Sequence, residues 1–185
     1  MDELIDIVDN KGIPTGKSAL KSEIHAKGYY HNTAHVWFFT RDRYILLAQR
    51  AASKAIYPLL WDVSVAGHVD AGETIETAAI REIKEEINLD ISTPELIKIG
   101  VFECFQSYSN GIKDNEFHHT YICELKTGLT KLTPQKHEVE TLKLVSFNNF
   151  ENLLENSDSN SHFIASNRGY YLNVLKAMKR QLNPF

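Results

Sequence analysis

The sequence predicts a mixed α/β (α+β) sandwich. Short apolar runs separated by turn residues recur through the middle of the chain, which is typical of strands. A stripe at helical spacing, Ile80, Ile83 and Ile87, interrupts these runs, and a second helical pattern lies near the C-terminus. Because each such element must bury one face, strands and helices are expected to pack in layers.

The N-terminal half contains four predicted strands bounded by turn residues: Glu3–Val8, Ala34–Thr40, Tyr44–Gln49 and Val63–Ala66. The first ends at the turn cluster Asp9–Gly12, and the second and third are joined across the charged segment Arg41–Arg43. Residues near Lys17–Ala26 are predicted to form either a short helix or a loop before Gly28.

A helix is predicted over Thr74–Asn88, because Thr74 is a suitable N-cap for the isoleucine stripe. Three further runs are predicted strands: Ile97–Ser107, Phe117–Leu125 and Leu142–Phe147. Phe150–Leu154 is expected to be a short helix before a polar loop, and a last helix is expected from about Tyr170 to Leu182.

Bulk properties describe an ordinary globular chain of 185 residues, 43% hydrophobic and 24% charged. We expect one domain over 1–185, with a core at about 30–160, an N-terminal extension at 1–29 and a C-terminal helix within 161–185. The net charge of −4 argues against a broad surface for nucleic acid or anionic membrane, so an anionic substrate must be met locally.

The N-terminus is acidic, without the basic and apolar regions of a signal peptide, and no apolar stretch approaches the roughly 20 residues that span a bilayer. A cytoplasmic protein is therefore expected. Cys104 and Cys123 lie in apolar runs without metal-finger spacing and are expected to be buried free thiols. Whether the protein is a monomer or a homodimer stays open.

Three carboxylates on the central helix indicate a metal site. At 100° per residue, Glu82, Glu85 and Glu86 share an arc of about 100°. Glu82 and Glu86 form a like-charge i, i+4 pair, and Glu85 and Glu86 lie where the helix dipole disfavours anions. Arg81 alone cannot neutralise all three, whereas clustered oxygen ligands suit Mg²⁺ or Mn²⁺.

The segment before this helix fits the same purpose. Gly67 and Gly72 bracket a loop that can fold tightly and bring backbone groups close to a ligand. The carbonyl of Ala66 is a candidate metal ligand, and Glu73 is placed to hold Arg81.

The row GHVDAGETIETAAIREIKEEINL resembles the Nudix box, Gly-x5-Glu-x7-Arg-Glu-U-x-Glu-Glu-x-Gly-U, where U is an aliphatic residue. The matching residues are Gly67, Glu73, Arg81, Glu82, Ile83, Glu85, Glu86 and Leu89. Asn88 replaces the second glycine, and asparagine is the residue next most able to adopt the left-handed conformation that ends a helix. The resemblance implies a Nudix-type α/β/α sandwich with a mixed central sheet.

The resemblance also implies roles for individual residues. Metal ligands would be Glu82, Glu86, Glu85 and the Ala66 carbonyl, with Mg²⁺ or Mn²⁺ bridging phosphate oxygens and activating a water. Catalytic roles fall to Glu85, Glu86, Arg81 and, as first candidate for a general base outside the box, Glu138, with Glu116 second. Residues expected to bind substrate are Gly67, His68, Lys54 and Glu116.

The N-terminal half resembles the isopentenyl-diphosphate isomerase-like part of the Nudix superfamily. The residues that carry this resemblance include Gly12-Ile13-Pro14-Thr15-Gly16, His35-Val36-Trp37 and Leu60-Trp61-Asp62. In type I isomerases three histidines and two acids hold a metal, and the matching positions are His25, His31, His68, Asp114 and Glu116. The alternative is that these are ordinary loop histidines and solvated acids.

One isomerase residue is absent. The catalytic cysteine that precedes the Gly-His pair in isomerases is Ala66 here, and alanine has no proton to transfer. The sequence therefore predicts a hydrolase of isomerase-like ancestry that cleaves a diphosphate linkage, most simply in a nucleoside diphosphate or related nucleotide derivative. The alternatives are an isopentenyl-diphosphate isomerase and a Nudix-fold module that senses nucleotides without turnover. Tyr29, Tyr30, Trp37, Phe105 and Tyr108 are candidates to stack a base.

Overall fold

The computed structural model describes residues 2–183. Its strands are β1 (Leu4–Val8), β2 (Pro14–Leu20), β3 (Tyr30–Phe39), β4 (Tyr44–Arg50), β5 (Trp61–Asp62), β6 (Val65–His68), β7 (Ile97–Ser107), β8 (Lys113–Glu124) and β9 (Val139–Ser146). Its α-helices are α1 (Lys21–Lys27), α2 (Ile75–Ile87), α3 (Phe147–Glu155) and α4 (Arg168–Leu182).

Strand β3 is the centre of a mixed sheet. It runs parallel to β8 over nine residue pairs, from His31 opposite Glu116 to Phe39 opposite Glu124, and antiparallel to β1, β6 and β4. Strand β7 pairs with the other edge of β8, and β4 pairs in turn with β5 and β9. The parallel register is important for the site, because it sets polar residues of β3 and β8 side by side.

Successive residues of β3 bury their side chains on opposite faces of the sheet, as the period of a strand requires. Val36 and Phe38 belong to the apolar cluster that α2 covers. Trp37 and Phe39 belong to the cluster that α3 and α4 cover. Because both faces are covered by helices, the architecture is an α/β/α sandwich around a mixed sheet, which confirms the predicted fold class.

The strand pattern of the N-terminal region differs from the expectation for Lys17–Ala26. Its first residues belong to β2, which pairs antiparallel with β1 from Leu4 opposite Leu20 onward, and only the following segment is the helix α1. The exposed face of β2 is polar, so the segment lacks the apolar alternation that marks a half-buried strand.

Other boundaries also shift. β3, β8 and β9 begin earlier than their apolar runs, at Tyr30, Lys113 and Val139, because pairing with a neighbouring strand extends them through polar residues. Phe147 begins α3 rather than ending a strand, since Ser146 caps that helix by accepting a hydrogen bond from the Asn149 amide. None of the helices within residues 2–183 combines the length and the apolar composition that crossing a membrane requires.

Candidate active site

Helix α2 positions the acidic residues, and its ends are fixed as its sequence predicts. The Thr74 side chain accepts a hydrogen bond from the Thr77 amide at 3.2 Å, which satisfies one amide of the first turn. Asn88 ends the helix in the left-handed conformation, with φ of 53°, so asparagine serves where the motif has glycine. The buried face contains Ala78, Ala79, Ile83 and Ile87, together with Glu86.

Arg81 is held by a fork of hydrogen bonds. Its Nε and Nη2 donate to the two oxygens of Glu73 at 3.2 and 2.9 Å, and Nη2 also donates to the His68 carbonyl at 3.0 Å. Its Nη1 donates to Glu82 Oε1 at 2.7 Å and, more weakly, to Glu85 Oε2 at 3.4 Å. Planar bidentate pairing of this kind fixes orientation as well as charge. Glu73 therefore orients Arg81, and Arg81 orients Glu82.

Gly67 makes room for Glu82. A Cβ added to Gly67 would lie 1.9 Å from Glu82 Cδ and 2.1 and 2.4 Å from its two carboxylate oxygens. Only a residue without a side chain can occupy this position of β6, because the carboxylate packs directly against the backbone. The first glycine of the motif is thus a steric requirement of the acidic site.

Glu86 lies deeper than Glu82 and is next to Glu138. Only 6% of Glu86 is exposed. The loop after β8 docks on the end of α2, where the Gln135 amide donates to the Glu86 carbonyl, and the Glu138 carbonyl accepts from the Ala51 amide. Glu86, Glu138, Lys54 and Ala66 consequently line one small cavity of about 50 Å³, and Lys54 forms an ion pair with Glu138. The structure thus brings together four residues that the sequence assigns to metal, proton and substrate roles.

Burial makes the ionised form of both inner carboxylates costly. It raises the pKa of Glu82 to about 7, against the opposing effect of Arg81. Burial, with the charges of Glu82 and Glu138, raises the pKa of Glu86 well above its usual range, although Lys54 and the backbone of Ala66 oppose the shift. Two buried carboxylates of this kind fit a divalent cation, which favours the charged form that burial disfavours. Glu85 is peripheral, with about half of its side chain exposed.

The histidine triad, His25, His31 and His68, forms a second group. Its three ring centroids are mutually 5.3 Å apart, and one ring nitrogen of each lies within 4.8 Å of those of the others. Asp114 and Glu116 adjoin it: Asp114 Oδ1 is 2.9 Å from His25 Nδ1, and Glu116 Oε1 is 3.6 Å from His31 Nε2. The structure therefore brings together all five residues that the isomerase resemblance indicates.

Two buried nitrogens of this group, His31 Nε2 and His68 Nε2, lack a hydrogen-bond partner within residues 2–183, whereas His25 Nδ1 and Asp114 Oδ1 face each other at 2.9 Å. Buried polar atoms without partners are rare, because each one costs about 1–3 kcal/mol. Their convergence fits a cation that would use their lone pairs. A nitrogen and oxygen donor set suits Zn²⁺, Mn²⁺ or Mg²⁺.

A cavity of about 260 Å³ joins the two groups. Ala66, Gly67 and Lys54 line it at the end near the acidic helix, and His25, His68, Asp114 and Glu116 line it at the other. Lys21, Arg50, Tyr57 and Tyr108 complete much of the wall. Glu116 is therefore placed with the histidines and apart from the carboxylates of α2. Trp37 is fully buried in the core, so it is unavailable to stack a base, whereas Tyr108 faces the cavity.

Sequence reasoning missed a polar network at the floor of this cavity. His35 and His118, the buried histidine pair, are 8% and 5% exposed, and their rings stack with centroids 3.9 Å apart. Tyr170 of α4 lies against them, within 3.1 Å of His35 Nδ1. The sequence contained a signal for this network. His35 follows Thr33 by two residues and His118 follows Glu116 by two residues. In a strand this spacing places the polar side chains of each pair on the same face.

The pKa values of the ionisable groups in this network are shifted in different directions. Burial, with the neighbouring His118, lowers the pKa of His35 well below its usual range. Burial alone would lower the pKa of His118 too, but Cys104 and Glu116 raise it to about 10. Burial would raise the pKa of Glu116, yet the contacts with His118 and His31 hold it well below the usual range.

Comparison with known proteins agrees with these features. A NUDIX domain matches residues 29–166. An uncharacterized Nudix hydrolase of Clostridium acetobutylicum is 35% identical over 84% of this chain and 75% of its own, and Nudix hydrolase 3 of Arabidopsis thaliana is 35% identical over 85% of this chain. The match spans only 21% of the Arabidopsis protein. Isopentenyl-diphosphate Delta-isomerase 2 of Photorhabdus laumondii is 35% identical over 66% of this chain and 67% of its own.

Solved structures share the fold. DR0079 of Deinococcus radiodurans superposes with a TM-score of 0.70 at 17% identity, over 91% of this chain and 97% of that protein. The bifunctional NMN adenylyltransferase/ADP ribose pyrophosphatase of Francisella tularensis, complexed with AMP and a manganese ion, superposes with a TM-score of 0.58 at 18% identity, over 82% of this chain and 42% of its own. With the NUDIX match over residues 29–166 and relatives of both kinds, the chain belongs to the Nudix hydrolase family, in its isopentenyl-diphosphate isomerase-like branch.

Proposed function

We propose that this protein is a hydrolase dependent on Mg²⁺ or Mn²⁺ that cleaves a diphosphate linkage in a nucleoside diphosphate or a related nucleotide derivative. The observation that carries the proposal is a pair of carboxylates: Glu82, packed over Gly67 and oriented by Arg81, and Glu86, which is 6% exposed. Such a pair is costly in a metal-free protein and useful only when a cation compensates it.

The residues of α2 would divide the work of holding that cation. Glu82 and Glu86 would hold the ion directly, with the Ala66 carbonyl beside them, and the more exposed Glu85 would add a peripheral negative charge. Arg81 keeps Glu82 in place through the fork from Glu73. When bound, a divalent ion supplies Lewis acidity to the phosphate oxygens and lowers the pKa of a coordinated water.

The walls of the cavity fit a phosphate chain and a base. Lys21, Arg50 and Lys54 line it and offer positive charge to distal phosphate oxygens. Tyr57 and Tyr108, whose rings meet edge to face at 5.8 Å, line the same cavity and offer an aromatic surface. A nucleotide derivative suits both features. The structurally similar bifunctional protein of Francisella tularensis, whose structure contains AMP and a manganese ion, supports the same substrate class.

Glu138 is our choice for the general base. Its carboxylate adjoins Glu86 in the small cavity and is paired with Lys54. If substrate phosphate binds Lys54, the carboxylate of Glu138 is released from the ion pair and can accept a proton from the attacking water. Glu116, the second candidate, is engaged by His118 at 2.8 Å. That contact reduces its availability to accept a proton.

The histidine triad is included in the proposal as a second cation site, with Asp114 and Glu116 as its acidic ligands. The partnerless atoms at its centre support this assignment. The same geometry favours isopentenyl-diphosphate isomerase activity as the second candidate function. Ala66 argues against it, because this residue lines the cavity and has no group that can transfer a proton.

A metal-dependent turnover assay tests the proposal. Phosphate release and product formation are measured with Mg²⁺ and with Mn²⁺ over nucleoside diphosphates, triphosphates, nucleotide sugars, ADP-ribose and isopentenyl diphosphate. We expect Glu86→Gln to reduce turnover at least about a hundredfold, since it removes a metal-binding charge that acts in the transition state. The matched control is Glu103→Gln, an exposed glutamate of β7, which should retain full activity.

Three outcomes separate the candidate functions. Hydrolysis of a nucleotide that is lost in Glu86→Gln supports the proposal. Isomerisation of isopentenyl diphosphate by the unmodified protein would replace it with the second candidate. Tight nucleotide binding without turnover in either metal would identify a sensing module instead.

A further inference from the structure

The buried histidine pair takes no part in the function proposed above, and its geometry requires an explanation. His35 and His118 stack at 3.9 Å with their planes 22° apart, and both line the cavity. One ring nitrogen of each lies within 4.8 Å of a carboxylate oxygen of Glu116 and of the other. Two imidazoles and one carboxylate thus lie close together on the cavity floor.

The hydrogen bonds of Tyr170 determine which nitrogen His35 offers. Trp37 Nε1 donates to the Tyr170 hydroxyl at 2.8 Å, and the Thr120 hydroxyl donates to the His118 carbonyl at 3.1 Å. Tyr170 then donates its one proton to Thr120 Oγ1 at 3.2 Å, so it accepts from His35 Nδ1 at 3.1 Å. The His35 proton is therefore assigned to Nδ1, which leaves a lone pair on Nε2.

Glu116 lies between the two histidine groups. His118 Nε2 donates to its Oε2 at 2.8 Å, whereas its Oε1 faces His31 Nε2 of the histidine triad at 3.6 Å. The parallel register of β3 and β8 produces this arrangement, because it sets His31 directly opposite Glu116 and Thr33 opposite His118. One carboxylate thus presents a different oxygen to each group.

We propose that His35, Glu116 and His118 form a further binding site for a divalent cation of the Zn²⁺ class, and that Glu116 bridges this ion to the one at the histidine triad. Two histidines and one carboxylate that leave a position open are a common donor set for such ions. The bridging part rests on the triad site of the proposed function, whereas the existence of the new site does not.

Binding requires His118 to release to solvent the Nε2 proton that it donates to Glu116, and its ring to turn out of the stack with His35. The distances allow the site to close. Ligand atoms around a tetrahedral ion at about 2.1 Å lie roughly 3.4 Å apart, so the widest pair must approach by no more than about 1.4 Å from the 4.8 Å limit. Two ions that share one carboxylate are typically about 3.5–4 Å apart. The Nδ1–H of His35 already has the outer partner that metal-binding histidines use, Tyr170.

A simpler role, in which His118 only orients Glu116 toward the triad, leaves His35 unexplained. Within residues 2–183 the hydrogen bond of the His35 ring is the one to Tyr170 through Nδ1. The Nε2 lone pair of His35 meets no protein donor among these residues and belongs to a ring that lines the cavity, where a cation would use it.

Metal stoichiometry tests the proposal on the whole chain. Metal-free protein is loaded with Zn²⁺ in excess Mg²⁺, which is meant to occupy the all-oxygen site of α2. The protein is then desalted, and its bound metal is measured by mass spectrometry. We expect two zinc ions per chain. His35→Gln, His118→Gln and His25→Gln should each retain one, and His25→Gln with His35→Gln should retain none.

His119→Gln is the matched control. His119 neighbours His118 in β8 but contacts Asn32, so this variant should retain both ions. A titration of the unmodified protein with Co²⁺ in the same excess of Mg²⁺, followed by its visible absorption, gives a readout that needs no variant to fold. Two saturable steps are expected.

One zinc ion that is lost in His25→Gln and kept in His35→Gln would overturn the new site and leave the triad standing. One cobalt step would do the same. Neither result bears on hydrolysis, which the turnover assay with Glu86→Gln tests separately.

Discussion

Replacing Gly67 with alanine tests whether Glu82 is held where the chemistry needs it. The added Cβ would lie 1.9 Å from Glu82 Cδ, whereas ordinary contact begins at 3.4 Å, so the carboxylate must move by about 1.5 Å. It cannot move without changing its hydrogen bond to Arg81 Nη1, now 2.7 Å long. The backbone of Gly67 is outside the left-handed region, so the expected effect is steric.

The magnitude follows from that displacement. A misplacement of about 1 Å in a catalytic group can cost about a hundredfold in rate, so Gly67→Ala should lower turnover about a hundredfold or more. Overpacking of a tight site typically costs about 1–3 kcal/mol of stability, so the variant should still fold. Its apparent affinity for Mg²⁺ should fall as well, because Glu82 is displaced from the position in which it would bind the ion.

The assay compares metal-dependent hydrolysis of the best substrate in the panel, Mg²⁺ titration and urea unfolding in the same preparations. Gly128→Ala is the matched control, since its backbone is extended and the nearest atom to an added Cβ is 4.0 Å away. Turnover within a few-fold of normal in folded Gly67→Ala, with unchanged Mg²⁺ affinity, would refute the role assigned to Glu82.

Two further predictions concern stability. Folding raises the pKa of Glu82 to about 7, so the folded state binds the Glu82 proton more tightly than the unfolded state does. The free energy of unfolding therefore falls as pH rises from about 4.5 through 7. Because Glu82→Gln removes this titration, the free energy of unfolding of the variant in EDTA should rise by about 3 kcal/mol relative to that of the unmodified protein between pH 4 and 8. A difference that stays constant in urea unfolding across this range would contradict the buried position of Glu82. Tyr170→Phe removes the hydroxyl to which Trp37 Nε1 and His35 Nδ1 both donate, so the free energy of unfolding should fall by about 1–3 kcal/mol. An unchanged urea midpoint would show that these hydrogen bonds do not contribute to stability.

The sequence by itself determined the acidic part of the site, because its geometry is local. Residues four apart on a helix share a face whatever surrounds them, so Glu82 and Glu86 were placed together by spacing alone. The Thr74 cap and the left-handed Asn88 follow from the preferences of those residues within one turn. The layered fold class was equally accessible, because strand and helix periodicities reveal which faces must be buried.

Strand boundaries were less accessible. β2 and the polar beginnings of β8 and β9 are strands because a neighbour pairs with them, and their own sequences do not alternate in the way that signals a strand. The ion pair between Lys54 and Glu138 likewise joins segments that are far apart in sequence.

The isomerase resemblance indicated the residues of the other half of the cavity, but only the tertiary structure decided that they meet. His25, His68 and Glu116 lie on α1, β6 and β8, and they meet because β3 pairs parallel with β8 and antiparallel with β6 in one particular register. A shift of one residue would turn each side chain of a strand to the opposite face, and the sequence of one strand does not state its partner's register. The contact between His35 and Tyr170 depends in addition on where α4 packs. That position is decided by the burial of the apolar cluster that α3 and α4 cover.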